Sequence, residues 1–113
     1  MLKLTIMLKR REDITRKEFG DYWLREHAPK IHSLPEANRV IRRYIQQIAV
    51  DDVPEGLPVA DFDGMAELWF DDLQSAINIM TSDEYLGTIP PDEPNFIDQS
   101  KTRILFTEER ETA

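Results

Sequence analysis

The chain has 113 residues, no cysteine, only four glycines and only two histidines. Without cysteine there is no disulfide framework, no thiolate nucleophile and no thiolate-bound zinc or iron–sulfur cluster. No apolar run approaches the roughly 20 residues needed to cross a bilayer. Met1 to Thr5 hold Lys3 in a short alternating stretch and lack the apolar core and cleavage site of a secretory leader. A cytoplasmic location is therefore expected. There is no glycine-rich phosphate loop, G-x-S-x-G elbow, H-E-x-x-H pair or calcium loop. His27 and His32 stand either side of Pro29, a poor arrangement for a metal. ATP, nicotinamide cofactors and a structural metal are therefore not expected.

The composition, 41% hydrophobic and 32% charged, is that of a folded domain. One domain over residues 1–110 is expected, with 111–113 a frayed acidic tail. The net charge is −8, and it is unevenly spread. Residues 1–43 hold 11 Lys and Arg against 6 Asp and Glu, while residues 44–113 hold 3 against 16. A nucleic-acid partner is not expected, because folding interleaves the halves and the overall field repels phosphate.

Leu2, Leu4, Ile6 and Leu8 alternate with more polar residues and predict a strand. Thr15 and Glu18 form a capping-box pattern that starts a helix. Phe19, Tyr22, Trp23, Glu26 and His27 recur at helical spacing, so His27 shares an inward stripe with Trp23. Pro29 should disturb or end that helix, with a second short turn over 30–34. Residues 40–50 predict a strand whose inward face is unclear. Asp51 to Asp63, with Pro54, Gly56 and Pro58, predicts a loop. Residues 64–70 predict a strand with Met65, Glu67 and Trp69 on one face and Ala66, Leu68 and Phe70 on the other. Asp71 is the expected cap of a helix carrying Leu73, Ala76, Ile77 and Met80. Residues 82–98 read as irregular because of Gly87, Pro90, Pro91 and Pro94. Residues 102–107 predict a last strand.

The order β-α-β-β-α-β is that of an α+β, ferredoxin-like fold with one antiparallel sheet and two helices. Helices on one side leave the other sheet face uncovered. A homodimer through those faces would cover it.

Two side chains stand out for chemistry. His27 is either a histidine that ties down the helix end or a general acid/base in a pocket. Glu67 interrupts an apolar strand, so it is either ion-paired, with Arg43 a candidate, or a second proton-exchanging group. Tyr22, Trp23, Tyr44, Trp69 and Phe96 are candidates for an aromatic pocket that takes a small, flat, hydrophobic ligand. Tyr22 and Tyr44 are further candidates for hydrogen-bonding a developing oxyanion. His32 reads as solvated.

Four segments resemble one family. Tyr22-Trp23-Leu24-Arg25-Glu26-His27-Ala28-Pro29 resembles the Y-W-x-x-x-H-x-P segment of the EthD family, named for ethyl tert-butyl ether degradation. Arg43-Tyr44-Ile45-Gln46 resembles its R-Y-x-Q strand. Asp63-Gly64-Met65-Ala66-Glu67-Leu68-Trp69-Phe70 resembles its D-G-x-A-E-L-W-F strand, and Asn95-Phe96-Ile97-Asp98 its late F-I-D element. The resemblance implies a dimeric α+β barrel. Its members are often labelled oxidoreductases because the member in the cluster that names the family accompanies an oxygenase system, and fungal relatives act in aromatic polyketide pathways. A similar small barrel is a lactone isomerase in which a histidine matching His27 moves protons; the second histidine of that group has no counterpart here, and Asp52 stands nearest. The resemblance thus implies a cofactor-independent isomerase, dehydratase or oxidoreductase, or an accessory protein that serves a partner oxygenase.

Overall fold

The computed structural model describes all residues, Met1–Ala113. Four strands, β1 (Leu2–Leu8), β2 (Arg43–Ile48), β3 (Gly64–Phe70) and β4 (Arg103–Glu108), form an antiparallel sheet in the order β2-β3-β1-β4. The two most apolar strands, β1 and β3, therefore lie at the centre. Leu4 pairs with Leu68 and Ile6 with Ala66, so the period-two pattern of both strands faces the same way. The helices α1 (Arg16–Tyr22), α2 (Ala28–His32), α3 (Pro35–Val40), α4 (Leu73–Met80) and α5 (Asp83–Asp92) complete the β-α-β-β-α-β order. The core lies between helices and sheet, where Leu4, Leu68 and Phe70 meet Phe19, Trp23, Ile79 and Phe96. This is the ferredoxin-like architecture expected from the sequence. No helix is long and apolar enough to cross a membrane.

The capping box forms as expected. The Glu18 amide donates to Thr15 Oγ1 and the Thr15 amide to Glu18 Oε1, both at 3.0 Å. Pro29 does not end its helix. It has no N–H for the Arg25 carbonyl, and its ring would strike that carbonyl in a regular α-helix. The chain widens instead into one π turn, Trp23–His27, before α2 continues through Pro29. The Trp23 carbonyl accepts from the Ala28 amide and from Gln46 Nε2 on β2 (3.1 Å), which pins the turn to the sheet.

Two expectations are corrected. The cap of α4 is Asp72, not Asp71: its carboxylate accepts from the Ser75 amide at 2.7 Å, while Asp71 pairs with Arg42. Residues 83–92 are a ten-residue helix capped by Ser82, not an irregular stretch. Pro90 and Pro91 sit near its end, and the carbonyls they leave free are those of the preceding turn. The chain then tightens into a 3₁₀ turn, Glu93–Asn95, ahead of Phe96.

The Asp63-Gly64 pair at the start of β3 is structural. Asp63 is buried and accepts from the Arg10 amide (2.9 Å) and from Arg16 Nε (3.2 Å), which clamps the 49–63 connection to both ends of the β1–α1 turn. At Gly64 a methyl group would lie 2.8 Å from the Gln47 carbonyl oxygen and 2.9 Å from the Trp23 ring. Only glycine lets Trp23 sit that close to the sheet.

Candidate functional site

The π turn carries His27 inward over the core, and the end of α5 carries Asp92 to meet it. His27 and Asp92 are only 5% and 6% exposed, so each is removed from water and needs the other. Asp92 Oδ2 lies 2.8 Å from His27 Nδ1. An ionised carboxylate only accepts, so Nδ1 carries the proton and Nε2 is the basic nitrogen. The other oxygen, Asp92 Oδ1, accepts from the Tyr22 hydroxyl (2.6 Å) and from Asn95 Nδ2 (3.0 Å), with Lys30 Nζ 3.9 Å away. Asn95 also donates to the Tyr22 hydroxyl at 3.2 Å. Phe96 packs against the imidazole with ring centroids 4.7 Å apart.

These contacts set the charges. Burial lowers the His27 pKa below its ordinary 6.5, and the bond to Asp92 only partly restores it. Burial also pushes the Asp92 carboxyl up, but hydrogen bonds from Tyr22, His27 and Asn95 outweigh it and hold it below the usual carboxylate value. The resting pair at neutral pH is a neutral imidazole beside a carboxylate.

His27 lines a cavity between helices and sheet with about 40 Å³ of free space, room for a few small atoms. Nε2 makes no hydrogen bond within the chain. The wall is otherwise apolar or aromatic apart from Glu93, and it contains no lysine or arginine. Trp23, Phe96, Tyr44 and Tyr85 contribute the aromatic surface. Tyr44 accepts from Gln46 Nε2 at 3.2 Å, which leaves its own O–H free to donate. Burial raises the pKa of Tyr44 and of Tyr85, so both stay protonated.

The structure brings His27, Trp23, Tyr44 and Phe96 to one cavity, as expected. It separates Glu67 and Trp69 from them: the assignment of Trp69 to the pocket is corrected, and Glu67 takes the ion-paired alternative, with Lys3 in place of Arg43. Both belong to the β3 face turned away from the helices, because Ala66, Leu68 and Phe70 take the helix side. Glu67 is ion-paired with Lys3 and accepts from Gln47 Nε2. The bond from Lys3, then that from Gln47, hold its pKa below the usual value. Trp69 lies between Lys3 and Arg43, with the charges 5.3 and 5.0 Å from its ring centroid. Tyr22 stands behind His27 rather than in the cavity, and its proton is committed to Asp92, which removes it as an oxyanion donor. Asp52 lies exposed in the 49–63 connection, and His32 is exposed.

Asp92, not Glu67, is the carboxylate that meets His27 and orients it. Asp92, Glu93, Tyr85 and Asn95 were missed because they lie in the proline-bracketed stretch that reads as irregular. A helix through residues 83–92 would have placed Tyr85 and Ile89 on one inward face. No group of three His, Cys, Asp or Glu side chains is arranged to hold a metal ion.

The fold and site together define a ferredoxin-like α+β domain with a histidine–aspartate pair facing an apolar cavity. The chain belongs to the EthD family: the EthD domain model matches residues 11–100. Among solved structures, an EthD family protein from Bacillus halodurans is 24% identical, with a TM-score of 0.70, covering 97% of this chain and 99% of that one. A dimeric protein of unknown function from Bacteroides fragilis is 17% identical with a TM-score of 0.66, covering 96% and 95%. A protein from Nitrosomonas europaea, named provisionally as an antibiotic biosynthesis monooxygenase, is 12% identical with a TM-score of 0.61, covering 96% and 98%. These likenesses carry the fold. A search of curated proteins gives no match.

Proposed function

We propose that the chain is a cofactor-independent enzyme that moves a proton on a small, hydrophobic, oxygenated compound bound between helices and sheet. His27 is the acid/base, Asp92 holds its tautomer, and Tyr44 donates to the oxygen where charge develops. The observation that carries this reading is the His27–Asp92 contact of 2.8 Å at the wall of an apolar cavity. A buried imidazole held by a carboxylate, with its second nitrogen unbonded, is an arrangement for proton transfer. The reaction classes that fit are isomerisation, dehydration, and oxygenation in which the substrate anion itself meets oxygen.

The cavity admits a larger ligand by movement of Met80 and Tyr85, which are half-buried at its wall. A thermal-shift panel of phenols, anthrones, lactones and tertiary alcohols tests the reading. A ligand at 100 times its Kd stabilises the folded chain by about 2.7 kcal/mol. At least one class should raise the melting temperature and be converted by the isolated chain. Binding without conversion would favour a carrier that serves a partner oxygenase, and no shift with any class would contradict a ligand site.

Two copies pair through their uncovered sheet faces in this reading. Met65, Trp69 and Leu105 lie on that face, and it needs a cover. The dimeric Bacteroides fragilis structure has the same fold. Sedimentation equilibrium should give twice the 13.2 kDa chain mass. Replacing Trp69 with glutamate should return it to the chain mass, and a monomeric wild-type protein would contradict the pairing.

A further inference from the structure

Glu93 is the one carboxyl in the cavity wall, and no cation offsets it. It begins the 3₁₀ turn immediately after Asp92, so the contact between Asp92 and His27 also brings Glu93 to the cavity that His27 lines. It is half-buried, and the only hydrogen bond of its carboxyl is one accepted by Oε1 from Gln99 Nε2 at 3.2 Å. The ionisable groups around it are Asp92, His27, Tyr44 and Tyr85, with Lys30 near Asp92 but outside the cavity wall. Glu67 shows the contrast: more deeply buried, it has Lys3 and Gln47 on its two oxygens.

We propose that Glu93 is a second catalytic residue, a general acid that gives its proton to the oxygen of an uncharged, enolisable carbonyl substrate while His27 takes the proton from carbon. This inference rests on the functional reading above and narrows its substrate class. Burial raises the Glu93 pKa, and the nearby Asp92 charge raises it further against the bond from Gln99. The step balances within the site. His27 Nε2 removes a proton from the carbon beside the carbonyl, and that C–H electron pair becomes a C=C bond. The carbonyl π pair takes the Glu93 proton. An enol is left, with an imidazolium and a carboxylate; return of a proton from the imidazolium to the same carbon, and of the enol proton to Glu93, restores the ketone and both groups. A cavity wall with no lysine or arginine cannot compensate a substrate carboxylate, so the substrate carries no negative charge.

The experiment is deuterium exchange into 2-tetralone, an uncharged enolisable ketone, followed by NMR in D₂O above the buffer rate. The full-length wild type is compared with Glu93→Gln, Glu93→Asp and His27→Ala. Wild-type exchange should fall as pH rises through the Glu93 pKa. Glu93→Gln can accept and donate hydrogen bonds but cannot release a proton. It should lose at least about tenfold in rate and lose the alkaline limb of the profile. Glu93→Asp should keep the limb at a reduced rate, and it replaces the glutamine variant should that fail to fold. Glu93→Gln with the wild-type rate and profile would overturn the proposal, while loss of exchange in His27→Ala would leave the functional reading standing. Exchange persisting in His27→Ala would instead overturn that reading. In a second arm, methyl 2-naphthylacetate should inhibit exchange and the 2-naphthylacetate anion should not. Equal inhibition by the anion would overturn the uncharged substrate class.

Discussion

Replacing His27 with alanine is expected to lower turnover by about 10²–10⁴-fold, the usual worth of a positioned acid/base. The expectation follows from how few proton carriers the site offers. The cavity wall contains one imidazole and one carboxyl, and its other polar groups are tyrosines whose raised pKa values keep them from acting as bases at neutral pH. His27 pKa is held below 6.5, so the free base is the resting form at neutral pH. Removing the ring leaves Asp92 with hydrogen bonds from Tyr22 and Asn95, so the carboxylate is not orphaned and the fold should survive. Steady-state kinetics on a ligand found by thermal shift would check this, with circular dichroism confirming the fold. A folded variant with wild-type turnover would remove His27 from the chemistry.

Replacing Asp92 with asparagine is expected to cost about 10²-fold or more in turnover while leaving the fold in place. The amide is nearly the same size, but it offers a donor where Nδ1 needs an acceptor. The imidazole answers by rotating or by moving its proton to Nε2, which then cannot act as a base. A buried aspartate that orients a histidine has this effect in the serine-protease triad, where the amide variant loses about 10⁴. The expected loss is smaller here because the amide oxygen of asparagine can still meet His27 if the Tyr22 and Asn95 bonds rearrange. The kinetics should show the loss in kcat with KM little changed, since Asp92 stands behind His27 and not in the cavity wall. A proportionate rise in KM with unchanged kcat would assign Asp92 to ligand binding instead.

Much of the fold was legible in the chain. Alternation in Leu2–Leu8 and Gly64–Phe70 marked the two central strands, and Thr15 with Glu18 marked the start of α1. The face of β3 that meets the helices was not legible. Met65 and Trp69 are as apolar as Leu68 and Phe70, and a period of two does not say which set is inside. That ambiguity put Trp69 in the wrong compartment and left the place of Glu67 open. The segment from 82 to 98 failed for a different reason. Prolines argue against a helix, yet Pro90 and Pro91 fall at the end of α5, where little pairing is lost. The misread segment held both Asp92 and Glu93. His27 was found because Trp23 and His27 are four residues apart, but the π turn that aims the ring has no signature in a 3.6-residue period.

The proposed chemistry depends on the protonation of one ring, and ¹⁵N NMR of the two histidines across a pH titration reads it directly. His27 should show the proton on Nδ1 and an unprotonated Nε2 at neutral pH, and should titrate below 6.5. The depressed value also fixes the linkage sign. The unfolded chain binds that proton more readily, so the stability this group contributes is complete above about 6.5 and declines as pH falls. The Asp92→Asn spectrum should lose the Nδ1–H tautomer. A wild-type His27 that carries its proton on Nε2, or stays doubly protonated well above 6.5, would contradict the account, because no base would then face the cavity.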